Sequence, residues 1–133
     1  ETQVTLPLIS SDLGRLLLAC AEGRVADEEC EFHNLSAATV VLASEGYPAS
    51  SSTGRAISGS EIRIEEGMTS AFVHYAGTAL GDDGQLVSSG GRVLSATGLA
   101  PSLSDSVVAA YELMDCIKLE GSHFRSDIAY RAL

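Results

Sequence analysis

Apolar and polar positions along this chain alternate with several distinct periods. Leu13, Leu16, Leu17 and Cys20 recur at the i, i+3, i+4, i+7 spacing of one helical face, with Ser11 and Asp12 at the capping position and Gly23 as a stop. The spacing predicts a helix over residues 13–23. Asp27, Glu28, Glu29 and Glu31 then read as a solvated linker. "AATVVLA" at residues 37–43 is short, continuous and β-branched, which predicts a buried strand, and Gly46 and Pro48 of "EGYP" end it because both leave a ladder. The small polar stretch "ASSSTGRAISGSE" predicts a surface loop with a brief extended piece about Ile57.

Residues 71–75 predict a further strand, and Asp83-Gly84 is the signal of a two-residue hairpin. Short strands follow at 85–87 and 93–97. After Pro101, Ser102-x-x-Asp105 opens a helix with Leu103, Val107, Tyr111, Met114 and Ile117 on one stripe, which would lie across the sheet and close at Gly121. The tail "SHFRSDIAYRAL" has no clear period. Together these elements predict an α+β fold: a small, mostly antiparallel sheet with one covering helix, preceded by an N-terminal helix.

Composition narrows the function classes. A chain of 133 residues is one domain's worth and buries roughly two-thirds of its unfolded surface without staples. No apolar run approaches the roughly 20 residues of a membrane span. Eighteen acidic and eight scattered basic residues give a net charge of -10. That charge repels phosphate backbones and anionic lipid, so neither nucleic acid nor membrane is an expected partner. Cys20, Cys30 and Cys116 are too widely spaced for a zinc site and odd in number, which fits a reducing, cytoplasmic compartment. No signal leader is evident, and the chain begins with Glu1, not Met, so its original start is expected to lie elsewhere.

Phosphate-loop, dinucleotide and nucleophile-elbow motifs are all absent. His33, His74 and His123 lie far apart and read as ordinary surface or hydrogen-bonded histidines, and Asp82-Asp83 as a turn, so no metal site is expected. Gly90, Gly91 and Arg92 remain. Glycines let backbone N–H groups point together into an anion-binding nest, and arginine adds a planar fork for phosphate oxygens. The competing reading is a glycine bulge that twists the hairpin, with Arg92 in an exposed ion pair.

Five stretches in order, "ETQ" (1–3), "ASEGYP" (43–48), "AGTAL" (76–80), "SGGRVLSAT" (89–97) and "FRSDIAYRAL" (124–133), make the chain resemble the C-terminal end of glycinamide ribonucleotide synthetase, of the ATP-grasp superfamily. The resemblance implies a ligase of purine synthesis that activates glycine as an acyl phosphate and joins it to 5-phosphoribosylamine. It implies the last helix of the ATP-grasp domain and an acidic linker over residues 1–30, and over 31–133 a C-terminal domain of the rudiment single-hybrid type. The expected partners are the upstream ATP-grasp and N-terminal domains and a small-molecule ligand. ATP and magnesium belong to the full-length enzyme, whose metal-binding Glu and Asn fall before Glu1, and no cofactor is expected in this chain. Gly90, Gly91 and Arg92 would lie near the substrate phosphate, while Gly46, Tyr47 and Pro48 would set a rigid turn.

The chain also departs from that family. Ala49 and Ser52 stand where the family carries a glycine and an aromatic ring, Tyr75 where it has histidine (with His74 one position earlier), and Ser126 where it has lysine. These changes support a second reading: a free-standing, diverged domain that self-associates and binds a small molecule or catalyses a reaction without ATP. In that case His74 and Tyr75 are the candidate acid-base groups. A stripe along Leu13, Leu16 and Leu17 would be exposed in a piece of a larger enzyme and buried in a stand-alone protein.

Overall fold

A computed structural model describes all residues, 1–133. The chain opens with a single turn, α1 (Thr2–Thr5), a 3-10 turn (Leu6–Leu8), and then α2 (Leu13–Ala21). Asp12 caps α2, its Oδ1 accepting from the Arg15 N–H at 3.0 Å. The buried side of α2 is Leu16 and Ala19, whereas Leu17 and Leu18 are more than half exposed. The expected apolar stripe is therefore split between core and surface.

The acidic stretch is not a free linker. Glu28, its side chain only 7% exposed, sits between Arg24 (2.5 Å) and Arg15 (2.7 Å). Those guanidiniums, Arg24 foremost, hold its carboxyl below the usual range. Ser11 Oγ accepts from the Glu31 N–H at 2.8 Å, and Ile9 pairs with Phe32. Residues 24–32 thus fold back on residues 8–15.

The main sheet contains β1 (Ser36–Ala43), β2 (Ile64–Glu66), β3 (Thr69–Tyr75) and β6 (Arg92–Ala100), in the order β1-β6-β3-β2 and antiparallel throughout. β2 and its turn carried no sequence expectation. Gly67, at φ +60, makes the two-residue connection that the pairing of Glu66 with Thr69 requires. β4 (Thr78–Leu80) and β5 (Leu86–Ser88) form a separate ribbon. Its turn has three loop residues, not two, because Gly81 N–H bonds Gln85 C=O at 2.8 Å and Gly84, at φ +79, takes the left-handed position. The loop about Ile57 is also more ordered than its composition implies. Ala56 pairs with Val87 and Ser58 with Lys118, and Ile57 is buried.

α3 (Leu103–Cys116) lies on one face of the main sheet. Ser102 caps it, with its Oγ accepting from the Asp105 N–H at 3.1 Å and donating to the Asp105 carboxylate at 2.6 Å. The helix ends at Cys116, five residues before Gly121, because the chain returns to pair Lys118 with Ser58. Its core face is Ser106, Val107, Ala109, Ala110, Leu113 and Met114, built on small residues so that the helix can come close to the sheet. Gly98 at the centre of β6 makes the same allowance, since a Cβ there would overlap the Ser106 carbonyl and lie 2.8 Å from the Ala110 nitrogen. Val40, Leu42, Leu94, Ala96, Leu113 and Met114 close the core. Each fully buried leucine contributes about 1.5–3 kcal/mol.

Candidate functional site

The face of the sheet turned away from α3 carries the chemistry. Paired residues of neighbouring strands share a face, and Leu42 pairs with Leu94 on the core side. The next residue of β1, Ala43, pairs not with Val93 but with Arg92, so Val93 is an extra residue, a bulge. Val93 and Leu94 both enter the core, and Arg92 is turned to the open face beside Val41, Ala43 and Ser95. In an unbroken ladder Arg92 would share the core side with Leu94.

The glycines before Arg92 serve close approach. Gly77 N–H bonds Arg92 C=O at 3.0 Å, and Ser89 N–H bonds Gly77 C=O at 2.8 Å. A Cβ on Gly77 would stand 2.9 Å from Gly90 Cα, and one on Gly91 would overlap the Tyr47 ring. Neither Gly90 nor Gly91 takes a positive φ, so the alternating left- and right-handed backbone of a nest does not form here. Their N–H groups nonetheless take no acceptor from the chain; Gly91 lines the larger of two adjoining cavities, and Gly90 lines neither.

Two cavities adjoin at Arg92. The larger, about 540 Å³, is lined by Gln3, Tyr47, Ala76, Gly91, Arg92 and Ser95, among others. The smaller, about 220 Å³, shares Val41, Tyr47 and Arg92 and adds Ala43, His123, Phe124 and Arg125. All five of the stretches singled out in the sequence therefore reach one groove. Arg15, Arg24, Arg55 and Arg125 are each held by a carboxylate, whereas Arg63, Arg92 and Arg131 are in no ion pair, and of these three Arg92 alone lines the two cavities. An unpaired guanidinium in a chain of net charge -10 favours an anionic ligand.

Other polar groups line the open face. His74 pairs across the sheet with Ser95. Its Nδ1 lies 3.1 Å from Thr97 Oγ1, which lies 2.8 Å from Thr39 Oγ1, and burial lowers its pKa from the ordinary value. Ser95 Oγ is buried and has no hydrogen-bond partner. Tyr75 points the other way. It pairs with Leu94 on the α3 side, and its hydroxyl donates to the Ser60 carbonyl at 3.0 Å. His74 and Tyr75 thus lie on opposite faces of β3 and do not form one acid-base pair, and neither lines the two cavities.

Gln3, Ser95 and Arg125 lie in stretches that the sequence singles out without assigning them a role of their own, and His123 reads there as an ordinary histidine. His123 reaches the groove through a backbone bridge to Ala43, a pairing with no local signature. No three His, Cys, Asp or Glu side chains gather to hold a metal ion. Cys20, Cys30 and Cys116 are free and exposed. No helix is long and apolar enough to cross a membrane.

Comparison with known proteins gives a consistent picture. A family model described as phosphoribosylglycinamide synthetase, C domain, matches residues 37–131. A phosphoribosylamine–glycine ligase of Mycobacterium tuberculosis is 48% identical over 133 residues, covering 99% of this chain and 30% of its own length. A bifunctional purine biosynthetic protein of Dictyostelium discoideum is 40% identical, covering 100% of this chain and 16% of its own length. The crystal structure of a phosphoribosylamine–glycine ligase from Thermotoga maritima superposes with a TM-score of 0.68 at 27% identity, covering 93% of this chain and 29% of that one. The chain thus spans less than a third of the length of these relatives.

Proposed function

This chain belongs to the phosphoribosylglycinamide synthetase C-domain family, and we propose that it serves as the C-terminal domain of a ligase that joins glycine to 5-phosphoribosylamine in purine synthesis. Its role is to wall the active site and hold the phosphoribosyl phosphate at Gly90, Gly91 and Arg92. The observation that carries this is the convergence of five separate stretches on a groove whose one unpaired guanidinium is Arg92. Two free N–H groups and a planar guanidinium suit three phosphate oxygens.

ATP and magnesium would be held by residues outside this chain, and residues 1–30 would form the closing helix of the nucleotide-binding unit. The exposed Leu17 and Leu18 of α2 supply an apolar surface for that unit to cover. The reaction would run in the cytoplasm, where the three exposed cysteines stay reduced.

Ribose 5-phosphate titrated into the chain, followed by backbone amide shifts, tests the reading. Saturable shifts at Gly90, Gly91 and Arg92, with affinity falling at least about tenfold in Arg92→Ala, are expected from loss of a charge-assisted contact. Shifts spread elsewhere, or an unchanged affinity in Arg92→Ala, would overturn it.

A further inference from the structure

We propose that His123 is the second cationic arm of the phosphate site, closing on the same anion as Arg92 from the far side of Ala43. The inference rests on the reading of Arg92 given above and adds to it a residue in a different stretch of chain.

The geometry follows from backbone pairing. Ala43 is bonded on both edges. It pairs with Arg92 on β6, and on its other edge it exchanges two backbone hydrogen bonds with His123, each 2.9 Å. Residues paired across adjacent strands point to the same face, so Arg92, Ala43 and His123 form one row on the open face. Neighbouring strands stand about 4.8 Å apart, which separates the outer two Cα atoms by about 10 Å. An arginine and a histidine reaching inward across that gap can meet a single phosphate group, and the methyl of Ala43 leaves the floor between them low.

A cavity of about 220 Å³ lies there, lined by Ala43, Arg92, His123, Tyr47, Phe124 and Arg125, with Val41 at its edge. The His123 side chain is exposed and makes no hydrogen bond within the chain, so it is uncommitted, as Arg92 is. Arg125 stands nearby, but Asp127 holds it at 2.6 and 2.8 Å and takes up its charge. The rings of Tyr47 and Phe124 displace water from the walls, which strengthens a charge-assisted contact between them. Two donors lining one small cavity fit a dianionic phosphate monoester better than a singly charged carboxylate, which a lone guanidinium already satisfies.

The test titrates inorganic phosphate and ribose 5-phosphate into the 133-residue chain and into Arg92→Ala, His123→Gln and His123→Arg, at one fixed pH and ionic strength. His123→Gln is expected to weaken binding about fivefold to tenfold, while His123→Arg, which restores a cation, stays within about threefold of the parent. If His123→Gln binds as the parent does while Arg92→Ala is weakened, His123 has no such role and the Arg92 reading stands. A loss in His123→Gln that His123→Arg fails to restore would mean that the residue acts through packing, and the proposal falls. If the parent shows no saturable binding, or Arg92→Ala is unaffected, the phosphate reading itself fails and takes the His123 arm with it.

Discussion

Gly91 packs against the edge of the Tyr47 ring so closely that a β-carbon on it would overlap Tyr47 Cδ2 and stand 2.8 Å from Cε2 and 2.9 Å from Ser51 Oγ. The bare backbone of the "SGG" stretch is thus explained first by packing: Gly91 seats Tyr47, and Gly90 seats Gly77. Under the proposed function, phosphate recognition would fall to their free N–H groups and to Arg92.

Gly91→Ala should therefore cost about 1–3 kcal/mol of stability, the usual range for overpacking a tight contact. It should also displace Tyr47 from the groove. Urea unfolding, with the aromatic resonances of Tyr47 as a local reporter, checks both effects. An unchanged midpoint and unchanged Tyr47 shifts would show that the ring gives way freely.

Gly98→Ala should be at least as damaging, because the new methyl would meet backbone atoms of α3, which have less freedom to move than a side chain. A loss of about 3 kcal/mol or more is expected, through separation of α3 from β6. The check is thermal or urea unfolding beside Gly67→Ala, whose Cβ meets nothing. Gly67 has a positive φ of its own, so that control should lose only the roughly 1 kcal/mol of a strained turn.

Ser95→Ala should leave stability unchanged or raise it by up to about 1 kcal/mol, because the buried hydroxyl has no partner to lose. A clear loss of stability would mean that Ser95 Oγ is satisfied by a bound water or ligand in solution.

His74 titrates below its ordinary value because burial disfavours its charged form. The unfolded chain therefore takes up this proton at a higher pH than the folded one. The stabilising difference is fully present above the unfolded pKa and is lost as pH falls from about 7 towards 5. His74→Phe should flatten that part of the stability profile, as followed by urea midpoints from about pH 8 to 5.

Glu28 behaves in the carboxylate sense. Arg24 and then Arg15 depress its pKa, so its contribution is held above the unfolded value of roughly 4.3 and is lost as pH drops through the folded one. Glu28→Gln should loosen residues 24–32 from residues 8–15. The expected signs are faster amide exchange at Ser10 and Glu31 and earlier protease cleavage there, with β1, β6 and α3 unaffected.

Much of the local structure was legible because it depends on neighbours in sequence. Asp12 and Ser102 cap the helices they precede, "AATVVLA" is a strand, and "VLSAT" at 93–97 lies in another, since capping, β-branching and apolar period act over a few residues. The family motifs likewise marked the stretches that meet in the groove. What the sequence could not express was which side chains face one another. The bulge at Val93 turns Arg92 to the open face, the bridge from Ala43 brings in His123, and the alternation along β3 sends His74 and Tyr75 to opposite sides. The acidic stretch looked solvated because charge alone favours water, but two arginines from separate turns seat Glu28. Helix caps and strand propensity are set by contacts a few residues apart, whereas the β1–β6 and β3–β6 registers, the bulge and the Ala43–His123 bridge are settled by contacts across about twenty to eighty residues. Only the folded chain, where the strands pair, decides those.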